Sequence, residues 1–322
     1  MADIRFYDFE FNLLRVLPPY ADGIGYKAID TKRGLYDSGS LEINFSDSIL
    51  KKIIKENEAD IIVRWRDFVG VLNSYRWTDK EDIVTGTHLN GFLERNIVRA
   101  TKYFKNDEYE DVTNSVEALV NDAINKSTAK SWLIFNRPDD TKTITYGTEE
   151  PKTLAEWFSG LYEISGYGYE IKADFTNKKF YLELIKPNIN PLMLSEDNLN
   201  AHEFETTYIN KNMAFGGYYK SEDGWIYIAA DNEKTGVFQK STVLKSEKES
   251  DAFNELKKCK AEFEIAASAR NIEYGKHYKI GDVLRVQKDG ATDKRLVSGV
   301  NRWEENGYYE NPTMIAYDEE DI

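Results

Sequence analysis

The chain has 322 residues, of which 41% are hydrophobic and 30% charged, and it carries a net charge of −14. This is a globular composition with length for two or three domains, and it excludes both a disordered chain and phosphate-led nucleic-acid binding, since no Lys/Arg cluster is interleaved with aromatics. No apolar run approaches the ~20 residues of a membrane span, Met1–Arg5 opens no secretion signal, and the single cysteine, Cys259, suits a reducing cytosol.

Residues 4–16 read as two short strands with a kink near Tyr7-Asp8, ended by Pro18-Pro19. Asp22-Gly23 and Arg33-Gly34 are turn signals around a short strand, Gly25 to Ile29. Ser40 to Phe45 alternates as a half-buried strand, and Ser46 or Asp47 then caps a helix with Ile49, Leu50, Ile53 and Ile54 on one stripe. Asp60 to Trp65 and Phe68 to Trp77 are two further strands.

Ile83 and Val84 lead into Thr85 to Val98. There the chain is expected to turn at Gly86 and make about two helical turns, with Leu89, Phe92 and Leu93 at helical spacing. This stretch is expected to close a first β domain.

Asp111 to Lys126 has the clearest helical stripe (Val112, Val116, Leu119, Val120, Ala123, Ile124), with Asp111 as the expected N-cap. Trp132 to Phe135 and Thr143 to Gly147 are short strands. A capping box, Thr153-Leu154-Ala155-Glu156, starts a helix that Gly166 stops. Tyr167 to Phe175 and Lys179 to Ile185 form a hairpin, and Pro187 to Pro191 reads as a connector.

Strands dominate again at Glu203 to Ile209, Met213 to Tyr219 and Gly224 to Ala229, with Val237 to Leu244 also extended. Glu249 to Lys258 is a short helix showing Phe253 and Leu256. Glu262 to Ala266, Ile280 to Val286, Leu296 to Trp303 and Pro312 to Ala316 complete the strands, with a hairpin turn at Lys288-Asp289-Gly290. The fold class is α+β, mostly β. The expected division is a first β domain at 1–105, a central α+β domain at 106–190 and a second β-rich domain at 191–322, with segments open to exchange between them.

Residues that carry chemistry are sparse. His88, His202 and His277 have no second His or Cys at metal-ligand spacing, so each reads as surface or structural. Cys259 sits among Lys257, Lys258 and Lys260, which would lower its pKa, but no orienting His lies nearby. Gly216-Gly217 belongs to no phosphate loop and reads as a bulge or a close backbone approach. Asp223, Asp231, Asp282 and Asp289 fall at turns and form no calcium loop.

Among 56 acidic residues no pair is singled out for glycoside hydrolysis. The expectation is therefore no catalytic residue, no cofactor, no metal and no enzyme activity. Trp65, Trp77 and Trp303, with Arg64, Arg66 and Arg76 beside the first two, are the candidates for an alternative, a carbohydrate-binding or host-recognition module.

The order of several short motifs adds a resemblance. Tyr7-Asp8-Phe9-Glu10-Phe11-Asn12, Gly39 to Ile43, Gly70-Val71-Leu72, Thr85-Gly86 with Leu89 to Val98, Leu119-Val120-Asn121, Leu154 to Gly166, Asn212 to Gly217 and Tyr278 to Val283 follow one another over residues 4–316. In this order and spacing the chain resembles siphovirus tail proteins of the ReqiPepy type, which look like tail-tip or baseplate hub proteins of bacteriophages.

The resemblance implies tube-like β domains flanking a smaller α+β domain. It implies a homo-oligomeric ring, commonly a trimer, at the virion tail tip, made and assembled in the host cytoplasm. Implied partners are the tail tube, the distal tail protein, the tape measure protein and receptor-binding or fibre proteins. DNA only passes through the channel, and no membrane anchor is implied. The resemblance carries no catalytic residues.

Overall fold

The computed structural model describes residues 2–57, 61–78, 81–105, 108–110, 112–138, 141–197, 200–209, 214–221, 224–230, 239–259, 262–305 and 307–317. Contact density divides the chain into two units. One comprises Met1–His202, Ser268–Val286 and Lys294–Ile322; the other comprises Glu203–Ala267 and Gln287–Asp293.

In the first unit, β1 (Ile4–Tyr7), β2 (Leu13–Leu17), β3 (Gly25–Gly34), β4 (Ser40–Ser46), β5 (Ile62–Trp65), β6 (Phe68–Trp77) and β7 (Asp82–His88) pair in one sheet. β3 runs on through Arg33-Gly34, where a turn was expected, because β4 holds the strand as far as Lys32 and a C-terminal strand pairs with it on through Arg33 and Gly34. Successive residues go to opposite faces. Ile62 and Val71 face one apolar cluster, while Val63 and Leu72 face another. A sheet covered on both faces reads as nearly continuous apolar sequence.

Helix α1 (Ser48–Glu56) closes one face, capped by the Asp47 carboxylate, with Leu50 and Ile54 buried and Ile49 exposed. Gly86 lies inside β7, not at a turn; a Cβ there would collide with the Val71 carbonyl oxygen, so the residue allows a close strand approach. The following helical segment, Leu89–Arg95, is a 3-10 helix with Leu89, Phe92 and Leu93 buried.

Next come β8 (Ile97–Val98), β9 (Tyr103–Lys105), β10 (Glu108–Glu110) and β11 (Thr113–Ser115). α2 (Val116–Asn125) is capped by Ser115. The expected start at Asp111 lies outside the described residues. The helix starts later because Thr113–Ser115 pairs with β13 (Thr143–Thr145), which follows β12 (Leu133–Phe135). β14 (Lys152–Thr153) leads into α3 (Leu154–Ser165), with its capping box intact and Gly166 left-handed at φ 70°. β15 (Gly168–Asp174) and β16 (Lys179–Ile185) form the expected hairpin, and β12 joins β16 in parallel.

α2, α3, the 3-10 helix and this hairpin share a single apolar cluster with Tyr7, Ile62 and Val71 of the large sheet and Phe11 of the β1–β2 connection. The stretch Thr85 to Val98 is therefore the junction between the sheet and the layer packed on it. It is not a domain boundary, since both parts lie in one unit.

Pro187 to Pro191 is not a connector: β17 (Asn188–Ser195) spans most of it and forms one edge of the large sheet. Pro191 is tolerated there because an edge strand need not donate on its open side.

In the second unit, β18 (Ala201–Ile209) pairs with β22 (Glu262–Ala269), while β19 (Gly216–Ser221) lies between β20 (Gly224–Ala229) and β21 (Ser241–Val243). Gly216 and Gly217 admit Tyr227 and Leu244, a close approach rather than a bulge. α4 (Glu249–Lys258) buries Ala252 and Leu256 and leaves Phe253 exposed, although Phe253 was expected on its inner stripe.

The chain then returns to the first unit at Ser268, leaving it again only for Gln287–Asp293, which includes the left-handed turn Asp289-Gly290. β23 (Asp282–Lys288), β24 (Ala291–Glu304) and β25 (Tyr308–Ala316) complete an 11-stranded sheet ordered β17-β23-β24-β3-β4-β7-β6-β5-β1-β2, with β25 on β24. Gly299–Glu304 pairs with Ile29–Gly34. The expected domains 1–105, 106–190 and 191–322 are thus replaced by the two units. The N-terminal strands are completed by C-terminal ones, an exchange of segments, and 106–190 does not separate from 1–105.

Candidate functional site

The C-terminal return brings charged side chains together within the first unit. On β24, Arg302 is buried and forms a forked pair with Asp67, the loop residue between β5 and β6; its Nη2 lies 3.0 Å from Oδ2. Its Nε lies 3.4 Å from Glu310 on β25. Arg33 on β3 pairs with Glu170 on β15 and stands 3.9 Å from Asp67. Glu304 accepts from Arg66 at 3.2 Å and from the Tyr26 hydroxyl at 2.6 Å. Glu310 accepts from the Tyr278 hydroxyl at 3.1 Å and the Tyr308 hydroxyl at 2.6 Å. The Arg302 guanidinium lies 4.5 Å from the Tyr274 ring centroid, and Arg66 lies 4.0 Å from that of Tyr308.

Electrostatics follow from this packing. Burial pushes the Asp67 carboxyl up, but the Arg302 hydrogen bond and charge outweigh it, so Asp67 stays below the usual carboxylate range. Glu170 goes the other way: burial raises it more than Arg33 and Lys172 lower it. Burial, then the hydrogen bond and charge of Glu304, raise the Tyr26 phenol.

Beside this network opens a cleft of about 970 Å³. Arg33, Arg64, His88, Glu170 and Lys279 are among the residues that line it. Complementary charge and buried donors suit such a surface to docking a polar partner. Among the described residues there is no cluster of three or more His, Cys, Asp or Glu that would hold a metal ion, and no helix is long and apolar enough to cross a membrane.

The three histidines stay apart, and each meets the backbone. His88 Nδ1 accepts from Asn90 N–H at 3.3 Å, His277 Nδ1 accepts from Glu273 N–H at 2.9 Å, and His202 Nδ1 lies 3.1 Å from the Ser268 carbonyl. Cys259 ends α4. Its thiol is pushed up by burial and by Glu255, which reverses the lowering expected from the lysine-rich turn. Asp282 holds its turn by accepting from Asn188, Asn190 and Lys279 N–H. Asp289 sits at the hairpin turn, while Asp223 and Asp231 lie outside the described residues.

The aromatic candidates also disperse. Trp65 is 0% exposed, Trp303 stacks on Tyr309 at 5.3 Å, and only Trp77 is largely exposed at 59%, with Lys55 4.7 Å over its ring. Trp65 is sealed because β5 lies inside the sheet with α1 over that face. Trp225, equally exposed on β20, belongs to a sheet face that the sequence did not single out.

No protein-family model matches the sequence, and no curated protein sequence matches it. Solved structures do match in three dimensions. A tail protein from Neisseria meningitidis superposes with a TM-score of 0.62 at 10% identity, covering 97% of this chain and 96% of that one. The prophage MuSo2 43 kDa tail protein from Shewanella oneidensis gives 0.59 at 11% identity, covering 98% of each chain. A chain of the phage P2 baseplate in its activated, calcium-containing conformation gives 0.50 at 9% identity, covering 99% of this chain and 100% of that one. At such identities the likeness is one of fold: this chain has the mostly β, α+β fold of phage tail and baseplate proteins.

Proposed function

We propose that this chain is a structural hub protein at the distal end of a phage or phage-like tail. It forms a ring, three copies in the simplest case, that joins the tail tube and distal tail protein to the adhesion apparatus and opens for DNA. It acts by assembly and not by catalysis, and the narrower reading within this class is a siphovirus hub of the ReqiPepy type.

The observation that carries the proposal is the coverage: the tail-protein likeness extends over nearly the whole of both chains. The ordered motifs from Tyr7-Asp8-Phe9 to Gly281-Asp282-Val283 support the narrower reading. A net charge of −14 suits a channel wall, where like charge keeps phosphates from sticking. Carbohydrate binding is the weaker reading, because Trp65 is sealed in the core and Trp303 is occupied by Tyr309.

The test is co-expression with the tail tube and distal tail proteins. The proposal expects an isolable complex containing several copies of this chain. A chain that stays monomeric, co-purifies with neither protein and binds a glycan through Trp77 would overturn it.

A further inference from the structure

One ring that lines the cleft carries a donor without a protein acceptor among the described residues. His88 is 2% exposed, and burial, then the Arg33 charge, push its pKa well down, so the ring is neutral near pH 7. Its Nδ1 accepts a backbone N–H and therefore bears no proton. The proton of the neutral ring then sits on Nε2. Among the described residues this Nε2–H meets no acceptor, and the ring lines the cleft.

Two cations on the same walls are also unmatched. The Arg64 guanidinium contacts only the Phe175 ring, at 5.1 Å, and the Lys279 ammonium has no ion-pair partner among the described residues. Neighbouring cations are satisfied: Arg33 by Glu170, Lys172 by Glu183 and Arg66 by Glu304.

What the cleft lacks is therefore an anionic acceptor. A run of phosphates does not fit, because Asp67, Glu170, Asp174 and Glu183 line the same walls and repel a polyanion. Isolated carboxylates on flexible side chains can reach the unmatched donors without meeting those acids. The volume, about 970 Å³, also accommodates a short stretch of peptide.

We propose that this cleft docks an acidic segment of a partner protein. One Glu or Asp carboxylate of that segment takes the His88 Nε2–H, and its neighbours pair with Arg64 and Lys279. This assignment stands apart from the hub reading, since it concerns a surface within one copy of the chain.

The experiment uses the full chain and a fluorescein-labelled peptide in which single glutamates are separated by Gly-Ser spacers, read by anisotropy, with the imidazole nitrogens followed by NMR. The expected result is saturable binding with a shift of the His88 Nε2 resonance. Arg64→Ala with Lys279→Ala should weaken binding at least about tenfold at unchanged melting temperature. The same peptide with Gln in place of each Glu should not compete. Absence of saturable binding, or undiminished binding by the double variant, overturns the proposal. Equal competition by inorganic phosphate or a short single-stranded DNA would overturn the peptide assignment and mark a general anion site.

Discussion

The first unit contains two contrasting regions. On one side of the large sheet, α2, α3, the 3-10 helix and the β15–β16 hairpin bury a continuous apolar cluster that includes Leu93, Val120, Leu154, Trp157, Phe158 and Leu182. Where β24 and β25 return to β3, the contact is instead made by Arg33, Asp67, Arg302, Glu304 and Glu310 with four tyrosines. Fully burying a large apolar side chain stabilises by about 1.5–3 kcal/mol. A buried ion pair gains little over an apolar replacement, yet losing one partner is costly. The apolar layer therefore supplies stability, whereas the charged junction fixes where the C-terminal hairpin docks.

Variants can break that contrast, beginning with the largest effect. Leu93→Asp puts an unpaired charge at a 0%-exposed position of the apolar layer. It should cost more than about 4 kcal/mol and abolish cooperative unfolding in denaturant titrations. If this variant folds normally, the 3-10 helix does not anchor the layer. Arg302→Ala leaves Glu310 without its cation and the half-exposed Asp67 with Arg33 alone at 3.9 Å, and should cost about 3 kcal/mol. Arg302→Met should recover part of that loss, and equal losses in the two variants would mean that the junction contributes through packing alone.

The two carboxyls of the junction sharpen the comparison through pH. Asp67 is held below its unfolded value, so its contribution is present above about pH 3.9 and lost as pH falls through the folded pKa. Glu170 is held above its unfolded value. Its contribution is full below about pH 4.3 and is lost as pH rises through the folded pKa. Urea unfolding across pH 2.5–7 should therefore show a shallower acid loss in Asp67→Asn and a smaller gain on mild acidification in Glu170→Gln, each set against the native chain. Matching profiles for all three proteins would contradict the assigned directions. The smallest effect is expected at the edge of the apolar layer, where Thr153→Ala removes half of the α3 capping box and should cost about 1 kcal/mol with little change elsewhere.

The apolar layer was largely legible in sequence, since the capping box, Gly166 and the Leu154-Trp157-Phe158-Leu161 stripe are local signals. The expected N-cap of α2, Asp111, lies four residues before the observed one, Ser115, because Thr113–Ser115 is claimed by a strand partner about thirty positions away. β17 was missed because Pro187 and Pro191 resemble a linker unless the strand is known to be an edge. The charged junction was illegible. Arg33, Asp67, Glu170 and Arg302 are scattered along the chain, and no periodicity marks residues that meet only when β24 pairs with β3. His88 looked unremarkable for the same reason: what matters is the environment of its Nε2, which tertiary packing decides.

A ring of this chain at the end of a tail is the proposed function. Its most direct test is electron microscopy of the purified chain, alone and co-expressed with the tail tube and distal tail proteins named in that proposal. The account predicts closed rings of this chain capping the tube, with three copies in the simplest case. Tubes that end bare beside a uniformly monomeric chain would contradict it.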